Sequence, residues 1–181
     1  FLDRQGKSRE GQPAQFDRSA NPLYFVNNGN PRLISTDQLG RIHILDFAGE
    51  AEIKEVGKFS SAHRFVAEDL DANGSPEYIF ADEKKLIIFS TDGKKIGEHS
   101  FTDVISETPI VCTMGNGNTK IGVVIKGENK VYLLDKNGAI TRGFPLEGDT
   151  NFILEKFNDS NAWFNLIVGA QGNMLVNYRI E

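Results

Sequence analysis

The 181-residue sequence predicts an all-β fold of four propeller-type blades, each a sheet of four antiparallel strands with a repeat of about 44 residues. Three observations carry this. LDRQGKSREGQP (Leu2–Pro13) matches LDKNGAITRGFP (Leu134–Pro145) at an offset of 132, and two further copies lie between. Their turn glycines, Gly6, Gly49, Gly93 and Gly138, stand 43, 44 and 45 residues apart. The segments between are short, apolar and β-branched, and they are bounded by Gly, Asn and Asp rather than arranged with a helical period.

The elements follow in chain order. First strands are expected in PLYFVN, RFVAED, PIVCTM and NFILEKF. Second strands are expected in RLISTD, EYIFAD, KIGVVI and FNLIVG, and third strands in RIHILD, KLIIFS, KVYLLD and NMLVNY. A more polar fourth strand follows each glycine turn: EAEIKEVGKF, KKIGEHSF and AITRGFPL. Two to five turn residues join these segments, which enforces antiparallel pairing. The middle strands are apolar on nearly every residue, as expected where neighbouring blades cover both faces. The whole of 1–181 is expected to be one domain.

The ends bear on closure. The last unit stops after its third strand, and KSREGQP near the N-terminus has the pattern of a fourth. It is expected to clasp the last sheet and hide an edge. Four units would then close alone, or form half of a larger ring completed by other blades or a second copy. Phe1 reads as mid-strand, so the chain is expected to be a piece of a longer protein.

Bulk composition narrows the chemistry. Net charge is −5 with no block of Lys or Arg, which argues against nucleic acid and against an anionic membrane surface. No apolar run has the length of a membrane-spanning helix. Cys112, within PIVCTM, reads as a buried, inert thiol. His43, His63 and His99 lack a second His or Cys at ligand spacing, and His43 reads as packed and His63 as solvent-facing. Asp82 and Glu83 read as a solvated charged turn, and GNGNTK (Gly115–Lys120) as a hairpin turn rather than a phosphate loop.

One loop stands apart. EDLDANGSPEYIF (Glu68–Phe80) sets oxygen side chains at alternate positions: Asp69, Asp71 and Asn73, then Gly74, Ser75 and Glu77. Calcium takes about six to eight oxygens, and this spacing offers three carboxylates, an amide and the Ser75 carbonyl. The sister loops VNNGNPR, MGNGNTK and FNDSNAW keep turn residues without the paired acids. Asp69, Asp71, Asn73, Ser75 and Glu77 are therefore the candidate calcium loop, with a metal-free turn as the alternative.

With DLDANGSPEYIFA and the recurring LDxxGxxxxGxP in view, the chain resembles bacterial β-propellers of the FG-GAP/VCBS and quinoprotein-like repeat types. LISTDQLGRI, EYIFAD and FNLIVGA also look like the C-terminal repeat region of Bacteroidetes propeller proteins. The resemblance implies a binding or scaffold module of the cell envelope or extracellular space, with calcium, if bound, in a structural role. Quinone enzymes of this type carry a strand-terminal Trp in each repeat, whereas Trp163 is single and lies in a different strand, so no quinone cofactor is expected.

The expected function is thus a non-catalytic module that binds a protein or glycan on one loop face. The alternative is a glycan-degrading propeller enzyme using the same-register polar positions Asp46, Ser90 and Asp135, which otherwise cap turns. The thirteen Phe and four Tyr are expected mainly to fill the wedges between blades; Phe47, Phe59, Phe101 and Phe144, flanking outer strands, are the best candidates for a sugar-stacking surface.

Overall fold

The computed structural model describes residues 4–7, 20–48, 50–115, 118–157 and 162–181. It contains four separate antiparallel sheets arranged in chain order. Blade 1 comprises β1 (Tyr24–Val26), β2 (Arg32–Thr36), β3 (Ile42–Asp46) and β4 (Ala51–Lys54). Blade 2 comprises β5 (Arg64–Glu68), β6 (Glu77–Asp82), β7 (Lys85–Phe89) and β8 (Lys95–Ser100). Blade 3 comprises β9 (Ile110–Met114), β10 (Asn118–Ile125), β11 (Lys130–Leu134) and β12 (Leu146–Glu147). Blade 4 has three strands among the described residues: β13 (Phe152–Glu155), β14 (Phe164–Ala170) and β15 (Met174–Ile180). Among those residues, helix is limited to a single 3-10 turn at Lys126–Glu128.

The all-β, four-blade expectation holds. Each strand pairs with its sequence neighbour, as in Val66↔Ile79 and Ile79↔Ile88 across blade 2. Glycine turns occupy the left-handed region where the repeat places them, with φ of 85° at Gly93 and 82° at Gly138. Gly49 and the clasp segment KSREGQP, from residue 8 onward, lie outside the described residues.

Two outer strands are shorter than expected. AITRGFPL was expected to pair throughout, yet β12 pairs with β11 only at Lys130↔Glu147 and Val131↔Leu146, with one isolated bridge at Leu134↔Ile140. Gly143 turns the chain at φ 91°, and Pro145 has no amide to donate, so the ladder cannot continue between them. In blade 1, pairing stops at Lys54, and the chain then turns Val56 and Phe59 back into the core. Apolar burial wins over further ladder hydrogen bonds there.

The core consists of three slabs, one at each blade interface. Ile34, Ile42 and Ile44 of blade 1 meet Phe65, Tyr78, Phe80 and Phe89 of blade 2. Val66, Ile79, Leu86 and Ile88 on the opposite face of blade 2 meet Ile121, Val123, Ile125 and Leu134 of blade 3. Val124, Val131 and Leu133 then meet Phe152, Leu154, Leu166 and Val168 of blade 4. In β6, Tyr78 and Phe80 face one neighbour, and Ile79 and Ala81 the other. This accounts for the unbroken apolar run: period-2 alternation still operates, but both faces are inside. Complete burial of such a side chain is worth about 1.5–3 kcal/mol, so the slabs dominate stability.

Candidate functional site

The β5–β6 loop is built by its own acids. Asp69, just after β5, accepts backbone hydrogen bonds through Oδ1 from Asp71 (3.3 Å) and Asn73 (3.2 Å), and through Oδ2 from Gly74 (2.7 Å). Asn73 Oδ1 accepts from the Ser75 amide at 2.7 Å. Gly74 sits at φ 83° and Ala72 at φ 59°, so the chain doubles back tightly. Glu77, the first residue of β6, is 4% exposed, and its Oε2 accepts from the Leu70 amide at 2.8 Å.

These constraints converge three carboxylates. One oxygen each from Asp69, Asp71 and Glu77 lies within 4.8 Å of the others. Calcium–oxygen bonds of about 2.3–2.6 Å place ligand oxygens up to about 5 Å apart, so the donor set fits that ion. Asn73 and Ser75 stay beside the acids in the same tight turn. The electrostatics agree with the geometry. Burial pushes the Glu77 carboxyl above its ordinary range, and the charges of Asp71 and Asp69 add to this against the opposing Leu70 hydrogen bond. Burial and the Asp69 charge likewise raise Glu68.

Neighbouring blades brace the loop. Lys136, in the turn after β11, places Nζ 2.8 Å from Asp71 Oδ2 and holds that carboxyl below its usual range through the hydrogen bond. The Asn28 side-chain amide in the β1–β2 loop donates to the Gly74 carbonyl, and within blade 2 itself the Thr91 hydroxyl donates to the Pro76 carbonyl. A cleft of about 190 Å³ opens beside the loop, lined by Phe25, Asn28, Glu68 and Asp69 among others. No motif announces Lys136 or Asn28: they reach the site only because blades stack.

The other candidate positions resolve as follows. Asp46 Oδ1 accepts from the Glu50 amide at 2.9 Å, and Asp135 Oδ1 accepts from Asn137 and Ala139, both at 2.9 Å. The Ser90 hydroxyl donates to Asp92 in its own turn. All three cap turns. Of the candidate stacking rings, Phe59 lies in the core, stacked on Phe80 with centroids 4.0 Å apart. Phe101 is 7% exposed against Tyr132, and Phe144 packs on the blade 3–blade 4 slab. Phe47, 44% exposed, remains at the surface beside Phe25. The other three rings turn inward because each finds apolar partners between blades: Phe59 on Phe80, Phe101 on Tyr132 and Phe144 on the blade 3–blade 4 slab.

His63 is also corrected. It is 3% exposed, not solvent-facing: Nδ1 lies 2.6 Å from the Ser60 carbonyl, and Nε2 lies 2.9 Å from Thr36 Oγ1 and 3.2 Å from Asn21 Nδ2. Nor is Asp82 merely solvated, since it accepts from both the amide and the hydroxyl of Ser60. Together these groups fasten blade 1 to blade 2 at the end opposite the acidic loop. His43 is packed as expected, with Nε2 2.9 Å from the fully buried Asp37. Burial alone would raise Asp37, but hydrogen bonds from His43, Arg41 and the Arg41 and Leu39 amides outweigh it and bring the carboxyl down to about 2. Cys112 is buried, and desolvation lifts its thiol to about 11.

The fold is that of a β-propeller. No protein-family model matches the sequence, and no curated protein is similar to it in sequence. Solved structures are similar in fold. BBS1N, crystallised in complex with ARL6DN and soaked with mercury, superposes with a TM-score of 0.59 at 12% identity, covering 92% of this chain and 52% of that one. The lead-soaked crystal gives 0.60. A catalytically inactive virginiamycin B lyase from Staphylococcus aureus, with quinupristin, gives 0.51 at 16% identity, covering 99% of this chain and 61% of that one. The chain thus spans about half to three-fifths of the length of these neighbours.

Proposed function

We propose that this chain is a non-catalytic binding module of the FG-GAP/VCBS-like propeller type, presenting the loop end around Asp69–Glu77 to a protein partner. A structural calcium ion would be held by Asp69, Asp71, Glu77, the Asn73 side chain and the Ser75 carbonyl. Bound there, calcium would neutralise the crowded carboxylates and stiffen the loop; Glu77, anchored on β6, would tie the ion to the core. The carrying observation is the convergence of three carboxylates within 4.8 Å on a loop braced by both adjacent blades. Two further points support the reading. The acids of the alternative enzyme site are engaged in capping turns. A fold neighbour was crystallised in complex with another protein.

Calcium titration followed by thermal melting tests the metal. A ligand at about 100 times its Kd stabilises by about 2.7 kcal/mol, so millimolar calcium should raise the melting temperature by several degrees. Asp69→Ala should abolish the response, and an unchanged response in that variant would remove calcium from the loop. A glycan array read with wild type and Phe47→Ala distinguishes a glycan from a protein partner. Glycoside turnover lost in Asp135→Asn would replace the binding module with an enzyme.

A further inference from the structure

The cleft beside the acidic loop has the lining of a site for a cationic side chain. It is about 190 Å³ in volume and runs between the β1–β2 loop and the end of β5. Phe25, Val26 and Asn28 form one wall, and Ala67, Glu68 and Asp69 the other. The Asn28 amide reaches across to the Gly74 carbonyl, so the two walls are already held together. Tyr24 and Val26 anchor β1 in the blade 1–blade 2 slab, whereas Phe25 between them is 60% exposed.

This lining carries charge without a counter-charge. The Glu68 carboxylate has no hydrogen-bond or ion-pair partner among the described residues. Partial burial and the neighbouring Asp69 charge make its ionised form costly, and a bound cation would offset that cost. A long basic side chain suits both walls: its head meets the carboxylates, and its stem or its charge lies against an aromatic ring. The surroundings carry the same sign. A second cleft of about 200 Å³ shares the β1–β2 loop through Asn30 and is lined by Asp46, Glu50 and Glu52. Arg32 lines it too, and Lys54 lies 3.4 Å from Glu52, so the acids still outnumber the cations. We propose that this end of blades 1 and 2 docks a basic segment of a protein partner, with one Lys or Arg side chain entering the cleft between Phe25 and Glu68. Such docking rests on the loop end being the protein-binding face. It does not require calcium, because Glu68 stands outside the converging set of Asp69, Asp71 and Glu77.

Fluorescence anisotropy with labelled octapeptides of lysine, arginine and glutamate, at about 0.1 M salt, is the test. The two basic peptides should bind and the glutamate peptide should not. Glu68→Gln should weaken binding of the lysine peptide by about threefold to tenfold, and Phe25→Leu by about twofold to fivefold. Both side chains are exposed, so far-UV circular dichroism should not change. Glu83→Gln removes the same charge from the turn between β6 and β7, at the opposite end of blade 2, and should bind as wild type does. A lysine peptide held no better than the glutamate peptide would overturn the inference, as would equal losses in Glu83→Gln and Glu68→Gln. Preference for the glutamate peptide would keep a protein-binding face and overturn its basic partner. The calcium-induced rise in melting temperature should persist in Glu68→Gln and Phe25→Leu. Its absence from wild type, with peptide binding still dependent on Glu68, would remove calcium and leave the basic partner standing.

Discussion

Blades 2 and 4 share a repeat and a strand order but differ in what surrounds them. In β6, five of the six residues are buried, and slabs lie on both sides of the sheet. In β14 and β15, residues alternate between the slab shared with blade 3 and an outward face of Ile167, Leu175, Asn177 and Arg179. Arg179 lies over the Trp163 ring at 3.8 Å on that outer side. A blade is therefore not a unit of stability by itself. Its strands supply hydrogen-bond ladders, and its neighbours supply most of the apolar burial.

The largest effect separating the two blades should come from Phe80, fully buried against Phe59, Phe65 and Phe89. Phe80→Ala is expected to cost about 3–5 kcal/mol in urea unfolding. Ile153→Ala, on the outward face of blade 4, should stay within about 0.5 kcal/mol. Equal losses at the two sites would erase the contrast.

Gly122→Ala probes the blade 3–blade 4 slab from the opposite direction. A Cβ there would meet Phe152 Cζ at 2.5 Å and Ile110 Cγ1 at 2.6 Å. Overpacking of this kind should cost about 1–3 kcal/mol, read by the same unfolding curves. Gly172→Ala, with nothing within 4 Å, loses only by its φ of 78° and should cost less.

Two blade 1 and blade 2 carboxyls should respond oppositely to acid. Asp37 sits at about 2 in the folded chain, below its ordinary 3.8, so its stabilisation is present above pH 4 and disappears as pH falls toward 2. Asp37→Asn should cost about 1–2 kcal/mol at pH 7 and flatten that acid limb. Glu77 is raised above 4.5, so the folded chain holds its proton more tightly than the unfolded chain does. Acidification through that raised value favours folding, and Glu77→Gln should stabilise the calcium-free protein at pH 7 while lowering its calcium response. Urea unfolding from pH 3 to 7 distinguishes the two.

The smallest expected effect concerns Lys136. Its ammonium competes for Asp71 Oδ2 from a different blade. Lys136→Met should tighten calcium binding by a few-fold, about 1 kcal/mol or less, as expected for an exposed pair. Weaker binding in that variant would make Lys136 a support of the site rather than a competitor.

Most of the fold was legible because its signals are local. Turn glycines recur where positive φ is needed, and β-branched runs mark the strands between them. The D-x-D-x-N-G-x-x-E spacing likewise marked a loop whose acids do converge. What escaped was non-local. His63 looked like a polar residue at a strand start, but Ser60, Thr36 and Asn21 enclose it. Aromatic rings were expected mainly to fill the wedges between blades, and Phe59 and Phe101 do so, but nothing in a short window separates them from Phe47, which stays at the surface.

The sequence by itself determined the number of blades, the order of their strands and the residues able to offer oxygens to a cation. Those are consequences of period and of backbone preference, each decided within a few residues. Only the tertiary structure decided which apolar faces are covered and which turn braces the acidic loop. Both depend on contacts between residues one or more repeats apart, such as Lys136 with Asp71, where stacking geometry rather than local sequence selects the neighbour.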